Sequence, residues 1–197
     1  MNIKIFNKWD TNIPVQDPGL QRYINLNPII VPRTGGRNIK ISFHKNKTSI
    51  VERLISKLGN PGHKGKKHKL TSYHCTGKAT KHYRMIKQTF ELIEQKTKAN
   101  PLAILVKAIE NASPREEITT IEYGGARYPQ AVECSPQRRI DISMRQMVQG
   151  AYSKAFNSKK TMIEALADEI IKASNDDPIS QAISKKLELE RQAASSR

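Results

Sequence analysis

The chain has 197 residues, with 34 Lys and Arg against 18 Asp and Glu, so its net charge is +16. This length fits one domain with a real core, and so large a positive excess favours a polyanionic partner, nucleic acid before an anionic membrane. No run reaches the roughly 18–20 apolar residues of a membrane span, the start lacks a signal-peptide pattern, and two cysteines make no disulfide framework, so we expect a reducing, intracellular location.

The N-terminal part of the chain is predicted to be mostly irregular. Residues 1–32 contain four prolines and are expected to form an irregular basic extension. In residues 39–43 large apolar residues alternate with polar ones, which predicts a short strand or an extended arm. A capping-box pattern, Ser49-Ile-Val-Glu52, predicts the start of a first helix that ends before Gly59.

Five more helices and a hairpin are predicted from proline, glycine and capping signals. They are a second helix over 80–97, a third from Pro101 closed by Pro114, strands at 116–123 and 127–134 around Gly124-Gly125-Ala126, a fourth helix over 136–155, a fifth after the capping box at Thr161, and a last one from Asp177-Pro178 to about Ala194. The predicted fold is mainly α, a bundle of about six helices with one projecting β-hairpin between the third and fourth. We expect a single domain over 1–197, divided into the extension, a basic region at 33–87, a hairpin arm at 115–134 and C-terminal helices at 135–197.

The positive charge is concentrated in one stretch of the chain. Between Arg33 and Lys87 fifteen basic residues accompany a single acid, Glu52, so this stretch carries +14 of the net charge. Interleaved glycines let the backbone approach phosphates, and phosphate contacts dominate the salt-sensitive part of nucleic-acid affinity. The residues predicted to bind nucleic acid here are Arg33, Arg37, Lys40, Lys45, Lys47, Arg53, Lys64, Lys66, Lys67, Lys69, Lys78, Lys81 and Arg84.

A second basic group begins the fourth predicted helix. Arg138 and Arg139 lie in its first turn, where the helix dipole disfavours cations unless a polyanion docks there. Arg145 follows on the same helix and is included in the predicted site. Because this helix also carries Gln146 and Gln149, a DNA-binding regulator that reads bases with residues 136–155 stays open as the alternative.

No catalytic site is predicted. Both Gly-Lys steps lack the rest of a phosphate-binding loop, and no glycine-flanked serine elbow is present. Imidazole and thiolate groups suit zinc, but the spacing of the one His/Cys group matches no closed structural site. That group comprises His63, His68, His74, Cys75 and His82. We therefore predict no metal and no cofactor, and a zinc-dependent nucleic-acid enzyme remains a further alternative.

Several motifs occur in an order that resembles a known family. They are VERLISKL, then KATKHYRMIKQTFELIEQKTKANPLAILVKAIENASPRE, then GGARYPQAVECSPQRRIDISMRQ, and finally ALADEII with AISKKLELERQAASSR. Over roughly residues 20–197 the chain resembles the universal small-subunit ribosomal protein seven family, in its archaeal and eukaryotic branch. The resemblance implies a mainly helical, non-enzymatic protein of the small ribosomal subunit, neither membrane-bound nor a homo-oligomer.

The resemblance also implies particular partners. Family members bind the 3′ major domain of small-subunit ribosomal RNA, help to nucleate assembly of the head, and lie near other head and platform proteins. Here it implies RNA contacts for Arg138 and Arg139, a hairpin arm at 118–132 that reaches toward exit-site transfer RNA, and a C-terminal tail that approaches messenger RNA. The residues implied to lie near transfer or messenger RNA are Gly124, Gly125, Arg127, Tyr128, Arg191 and Arg197.

Overall fold

The computed structural model describes residues 3–61 and 78–197. In these ranges the long elements are α1 (Ile50–Leu58), α2 (Ala79–Thr97), α3 (Pro101–Ala112), β1 (Glu116–Tyr123), β2 (Ala126–Glu133), α4 (Pro136–Ala155), α5 (Met162–Ser174) and α6 (Gln181–Ser195). A one-turn helix at Pro18–Gln21 and two 3₁₀ turns, Arg37–Lys40 and His44–Lys47, complete the regular structure of this part. The predicted fold class, mainly helical with a hairpin between the third and fourth long helices, is confirmed.

Two helix starts that were predicted from local capping chemistry, those of α3 and α5, are confirmed. The side chain of Asn100 accepts a hydrogen bond from the backbone N–H of Leu102 at 3.0 Å, which satisfies one of the free donors at the start of α3. At α5 the side chains of Thr161 and Glu164 cap reciprocally and form the predicted capping box.

Three local predictions are wrong: the capping box at Ser49, the strand over 39–43 and the start of the last helix at Asp177. α1 begins after Ser49 without a capping box, since the Glu52 carboxylate accepts instead from the N–H and hydroxyl of Thr34, both at 2.7 Å. No strand forms over 39–43, because two 3₁₀ turns flank Phe43, whose φ of 62° breaks an extended run. α6 begins at Gln181 and not at Asp177, whose carboxylate accepts from Ile179 and closes a turn before the helix.

The core is organised around α5, which packs against α2, α3, α4 and α6. Helix α1 packs on α2 and α4. The buried side chains follow the apolar stripes of these helices, with Phe90 and Ile93 on α2, Leu105 on α3 and Met147 on α4 fully enclosed. Because α1, α2 and α4 share one side of this core, the elements that carry the predicted basic residues are held together.

The first residues belong to the core and do not form a detached extension. Ile5, Phe6 and Trp9 are buried, and both aromatic rings lie edge-on to Phe90, with centroids 6.2 and 5.5 Å away. The indole N–H of Trp9 donates to Glu94 at 3.1 Å. Residues 3–32 are irregular apart from one helical turn, as predicted, and the positive excess in residues 1–32 is small, three basic residues against two acids.

The hairpin projects with most of its outer half exposed. Tyr123 pairs with Ala126, so the turn contains only Gly124 and Gly125, whose φ values of 58° and 81° fit a type I′ turn. The predicted three-residue turn is therefore one residue shorter. Pro129 is tolerated because each strand of a two-stranded sheet is an edge. Helix α6 packs against the base of the hairpin.

None of the helices in the described part is long and apolar enough to cross a membrane.

Candidate nucleic-acid interface

Most of the predicted basic residues that the structure describes line four clefts, and these clefts share residues and therefore form one continuous surface. Arg33 is common to a cleft against the start of α2 and to a second cleft at residues 33–38. Thr34 and Asn38 connect the second cleft to a third, which lies between residues 34–48, α1 and α4. Arg145 connects the third to a fourth cleft at the start of α4. We call the cations along this path the basic strip, and they are Arg33, Arg37, Lys45, Lys57, Lys78, Lys81, Arg84, Arg138 and Arg145.

One half of the basic strip carries cations without a counter-charge. Arg33, Arg37, Lys78 and Arg84 are exposed, and no carboxylate of the described residues lies within ion-pair distance of them. Exposed cations gathered without internal partners repel each other in the free protein. A polyanion that docks here removes this repulsion and releases its own counterions.

In the other half of the basic strip a single acid, Asp141 of α4, gathers three cations. Lys45 pairs with its Oδ2, while Arg53 Nη2 and Lys57 Nζ lie 3.3 and 3.9 Å from its Oδ1. Burial raises the pKa of Asp141, but the hydrogen bond and charge of Lys45, with the charges of Lys57 and Arg53, outweigh it and lower the pKa overall. Asp141 therefore stays ionised and holds α1, α4 and the 33–48 segment in register.

Two of the predicted arginines, the buried Arg53 and the largely enclosed Arg139, make their contacts inside the protein. The Arg53 side chain is only 2% exposed, and it donates to the backbone oxygen of Tyr23 at 3.1 Å in addition to its pair with Asp141. Arg139 pairs with Asp17 at 2.8 Å and donates to the backbone oxygen of Pro114. Both guanidiniums fasten the N-terminal residues to α1 and α4, so we leave them out of the proposed contact surface.

Arg138 connects the strip to the hairpin. Its guanidinium makes two contacts with the Glu117 carboxylate at the base of β1, one of them a hydrogen bond from Nη2 at 2.8 Å. That hydrogen bond and the charge of Glu117 raise the pKa of Arg138 above its ordinary value despite partial burial. The bidentate pair connects β1 to the start of α4, while more than half of the Arg138 side chain stays exposed.

The residues implied to lie near transfer or messenger RNA fall into two places. Gly124, Gly125, Arg127 and Tyr128 are exposed together at the tip half of the hairpin. At the C-terminus the Arg197 guanidinium pairs with Glu116 at the hairpin base, while Arg191 lies exposed near the end of α6. The tail is thus folded onto the hairpin by its terminal arginine.

Some predicted residues lie outside the described ranges. They are Lys64, Lys66, Lys67 and Lys69 of the basic region and His63, His68, His74 and Cys75 of the His/Cys group. His82, the remaining member of that group, is buried, and burial together with the charge of Lys81 lowers its pKa. Within residues 3–61 and 78–197 no group of three or more His, Cys, Asp or Glu side chains is placed to hold a metal ion. Lys40 and Lys47 are exposed beside the strip.

Sequence reasoning overlooked two residues in the third cleft. Lys57 was counted in the basic stretch but not assigned to the site, although it lines this cleft beside Arg145. Its helical spacing from Arg53 was the available signal. Phe43 also lines the cleft, with 77% of its surface exposed. No signal in the alternating pattern of residues 39–43 indicated that its ring faces outward.

A helical core bordered by a continuous basic strip, with a projecting hairpin, defines a structural protein built to bind a polyanion. Comparison with known proteins identifies the family. The sequence model of the family described as ribosomal protein S7p/S5e matches residues 20–197. The chain belongs to this family, whose members are structural and not enzymatic.

Curated relatives from archaea match the chain over nearly its whole length. The small ribosomal subunit protein uS7 of Nanoarchaeum equitans is 54% identical over 198 residues and covers 100% of both chains. Those of Methanosphaera stadtmanae and Methanothermobacter thermautotrophicus are 45% and 46% identical and cover 99% and 97% of both chains. The resemblance noted in the sequence is confirmed, and the family decides against the DNA-binding regulator and the zinc-dependent enzyme.

Proposed function

We propose that the chain is a constituent of the cytoplasmic small ribosomal subunit, where its basic strip grips ribosomal RNA of the head, the 3′ major domain, and helps to start head assembly. The observation that carries the proposal is the continuity of the strip, whose exposed cations lie along four connected clefts with few internal counter-charges. This surface can follow a phosphate backbone without reading bases, as RNA helices are recognised largely by shape and phosphate contacts.

The hairpin and the C-terminal end form the second part of the proposal. We propose that the exposed tip at Gly124 and Gly125 approaches exit-site transfer RNA and that Arg191 and Arg197 lie near messenger RNA. The Arg138–Glu117 contact supports this, because it connects the arm to the helix that carries Arg138 and Arg145 of the strip. Contacts with neighbouring head and platform proteins, and a single copy in each particle, complete the proposal.

The salt dependence of binding tests the phosphate grip. Each phosphate contact adds about 0.7–0.9 to the slope of log K against log salt, so the double variant Lys78→Glu/Arg84→Glu should lower that slope by about 1.4 to 1.8 on a head-domain RNA fragment. The matched control is Lys107→Glu/Lys159→Glu, which makes the same charge change at exposed lysines that line none of the four clefts. An equal loss of slope in both variants would contradict a located interface.

Competition separates RNA from DNA as the partner. Structured head-domain RNA should displace the labelled fragment at much lower concentration than duplex DNA of the same length, because in this proposal the strip matches the shape of RNA as well as its charge. If head-domain RNA and duplex DNA displaced the labelled fragment equally well, the strip would bind by charge density alone, and this would refute the ribosomal RNA assignment.

A further inference from the structure

The third cleft, here called the central cleft, contains an exposed aromatic ring in an unfavourable backbone conformation. Phe43 has a φ of 62°, a region that side chains other than glycine rarely adopt, and its ring gains no burial in exchange. The ring is presented between the turns Arg37–Lys40 and His44–Lys47, on the lining of a cleft of about 940 Å³. The backbone carbonyl of Phe43 accepts a hydrogen bond from Asn46 at 3.1 Å, but the ring itself stays exposed on the cleft, where a ligand can stack on it.

Two buried polar atoms without a hydrogen-bond partner belong to residues that line the same cleft. Of the six buried side-chain polar atoms without a hydrogen-bond partner in the described part of the chain, four belong to Asn46, Ser49, Glu52 and Arg53. Glu52 and Arg53 line the cleft itself. Buried polar groups are nearly always paired in folded proteins, so this concentration indicates a missing partner at one place.

Glu52 determines the kind of group that is missing. The residue is 9% exposed, and its Oε1 accepts from Thr34 while its Oε2 has no donor. A carboxylate accepts hydrogen bonds, and a rotation of its terminal torsion that exchanges Thr34 for a donor in the cleft would pair the buried free oxygen. Lys45, Lys57 and Arg145 line the same cleft and suit phosphates on either side of that donor.

We propose that the central cleft binds one unpaired guanine of the RNA, stacked on Phe43 and hydrogen-bonded through its Watson–Crick edge to Glu52. Guanine is the base whose Watson–Crick edge presents two adjacent donors, N1–H and N2–H₂, to a carboxylate, whereas adenine and cytosine present one amino group. Single-stranded bases are commonly recognised by such stacking and edge contacts, and the cleft volume lies in the range of about 300–1,000 Å³ typical of ligand sites. The inference rests on the proposed function, because it names what the strip holds at its centre.

The test uses the full chain and short RNA hairpins labelled for fluorescence anisotropy at physiological salt. One hairpin has a single bulged guanosine in its stem, a second has a bulged adenosine, and a third is fully paired. We expect the bulged-guanosine hairpin to bind about 5- to 100-fold more tightly than the paired one, the range of one stacked base. Binding of all three with equal affinity would overturn the proposal.

Variants separate the two contacts. Phe43→Leu should remove the preference for a bulge, Phe43→Trp should retain it, and Glu52→Gln should reduce the preference for guanosine over adenosine while leaving the bulge preference. The control is Tyr123→Leu on the hairpin, which removes an aromatic ring that is 82% exposed outside the cleft and should change neither preference. A bulge preference that survives Phe43→Leu would refute the site. If the chain still binds head-domain RNA in a salt-dependent way when the site is refuted, the proposed function stands. If the unmodified chain does not bind head-domain RNA in a salt-dependent way, the proposed function itself is refuted.

Discussion

Replacing Asp141 by Asn removes the one carboxylate that neutralises Arg53, Lys45 and Lys57. Arg53 is 2% exposed and Asp141 17%, so the variant leaves a guanidinium charge almost fully inside the protein. Breaking a buried pair from one side costs about 3–5 kcal/mol. Arg53 keeps its hydrogen bond to Tyr23, and the more exposed lysines add only about 0–1 kcal/mol each. We therefore expect a loss of about 3 kcal/mol in the free energy of unfolding.

Urea unfolding followed by circular dichroism measures this loss, with Asp168→Asn as the matched control. Asp168 also pairs with two lysines, Lys96 and Lys160, but these pairs are largely exposed, and the control should cost about 0–1 kcal/mol. Adding Arg53→Met to Asp141→Asn should recover part of the stability, because it removes the unpaired charge. Equal losses of unfolding free energy for Asp141→Asn and Asp168→Asn would show that burial does not strengthen the contribution of the Asp141 ion pairs to stability.

The ion pairs of Asp141 predict a pH dependence of the free energy of unfolding. The cations hold the folded pKa of Asp141 below its ordinary value, so its contribution to stability is complete above the unfolded pKa of about 3.9 and is lost as the pH falls through the lower folded value. The stability difference between the unmodified chain and Asp141→Asn should therefore be constant near neutral pH and shrink in acid. A difference that grows as the pH falls would contradict this sign.

Three further predictions concern the hairpin, the N-terminal residues and the buried thiol. Gly125→Ala should destabilise the hairpin by about 1 kcal/mol, since its φ is 81°, and amide exchange should rise in the strands while the helices keep their protection. Trp9→Ala should cost about 3 kcal/mol or more in urea unfolding, because the indole is buried against Phe90, and no change would mean that the first residues are not part of the core. Burial and the nearby Glu117 raise the pKa of Cys134 to about 11, so in a Cys75→Ser background iodoacetamide at pH 8 should label it only after unfolding. Rapid labelling of the folded protein would contradict the burial.

Local chemistry made most of the helices and the hairpin predictable. A proline after a capping asparagine, a reciprocal Thr–Glu pair and two adjacent glycines each act within a few residues, as at Asn100, Thr161 and Gly124. The capping box at Ser49 failed although its pattern was equally good, because the Glu52 carboxylate is engaged by Thr34, 18 residues away. Sequence patterns describe neighbours along the chain and miss such competition.

The same reasoning explains which parts of the site were predictable. The stretch of unbalanced charge located the exposed cations of the basic strip, since no acid near them in sequence could neutralise them. Arg53 and Arg139 look identical to those cations in the sequence, but their partners Asp141 and Asp17 lie 88 and 122 residues away. The outward ring of Phe43 depends on a left-handed backbone angle that an alternating pattern does not encode.

Co-sedimentation with the small ribosomal subunit tests the central claim most directly. The tagged chain, expressed in cells that make its own ribosomal RNA, should appear in the small-subunit peak of a sucrose gradient and leave it as salt is raised. Lys78→Glu/Arg84→Glu should leave that peak at lower salt than Lys107→Glu/Lys159→Glu, because only the first pair belongs to the basic strip. Absence of the unmodified chain from the small-subunit peak at low salt would contradict the account.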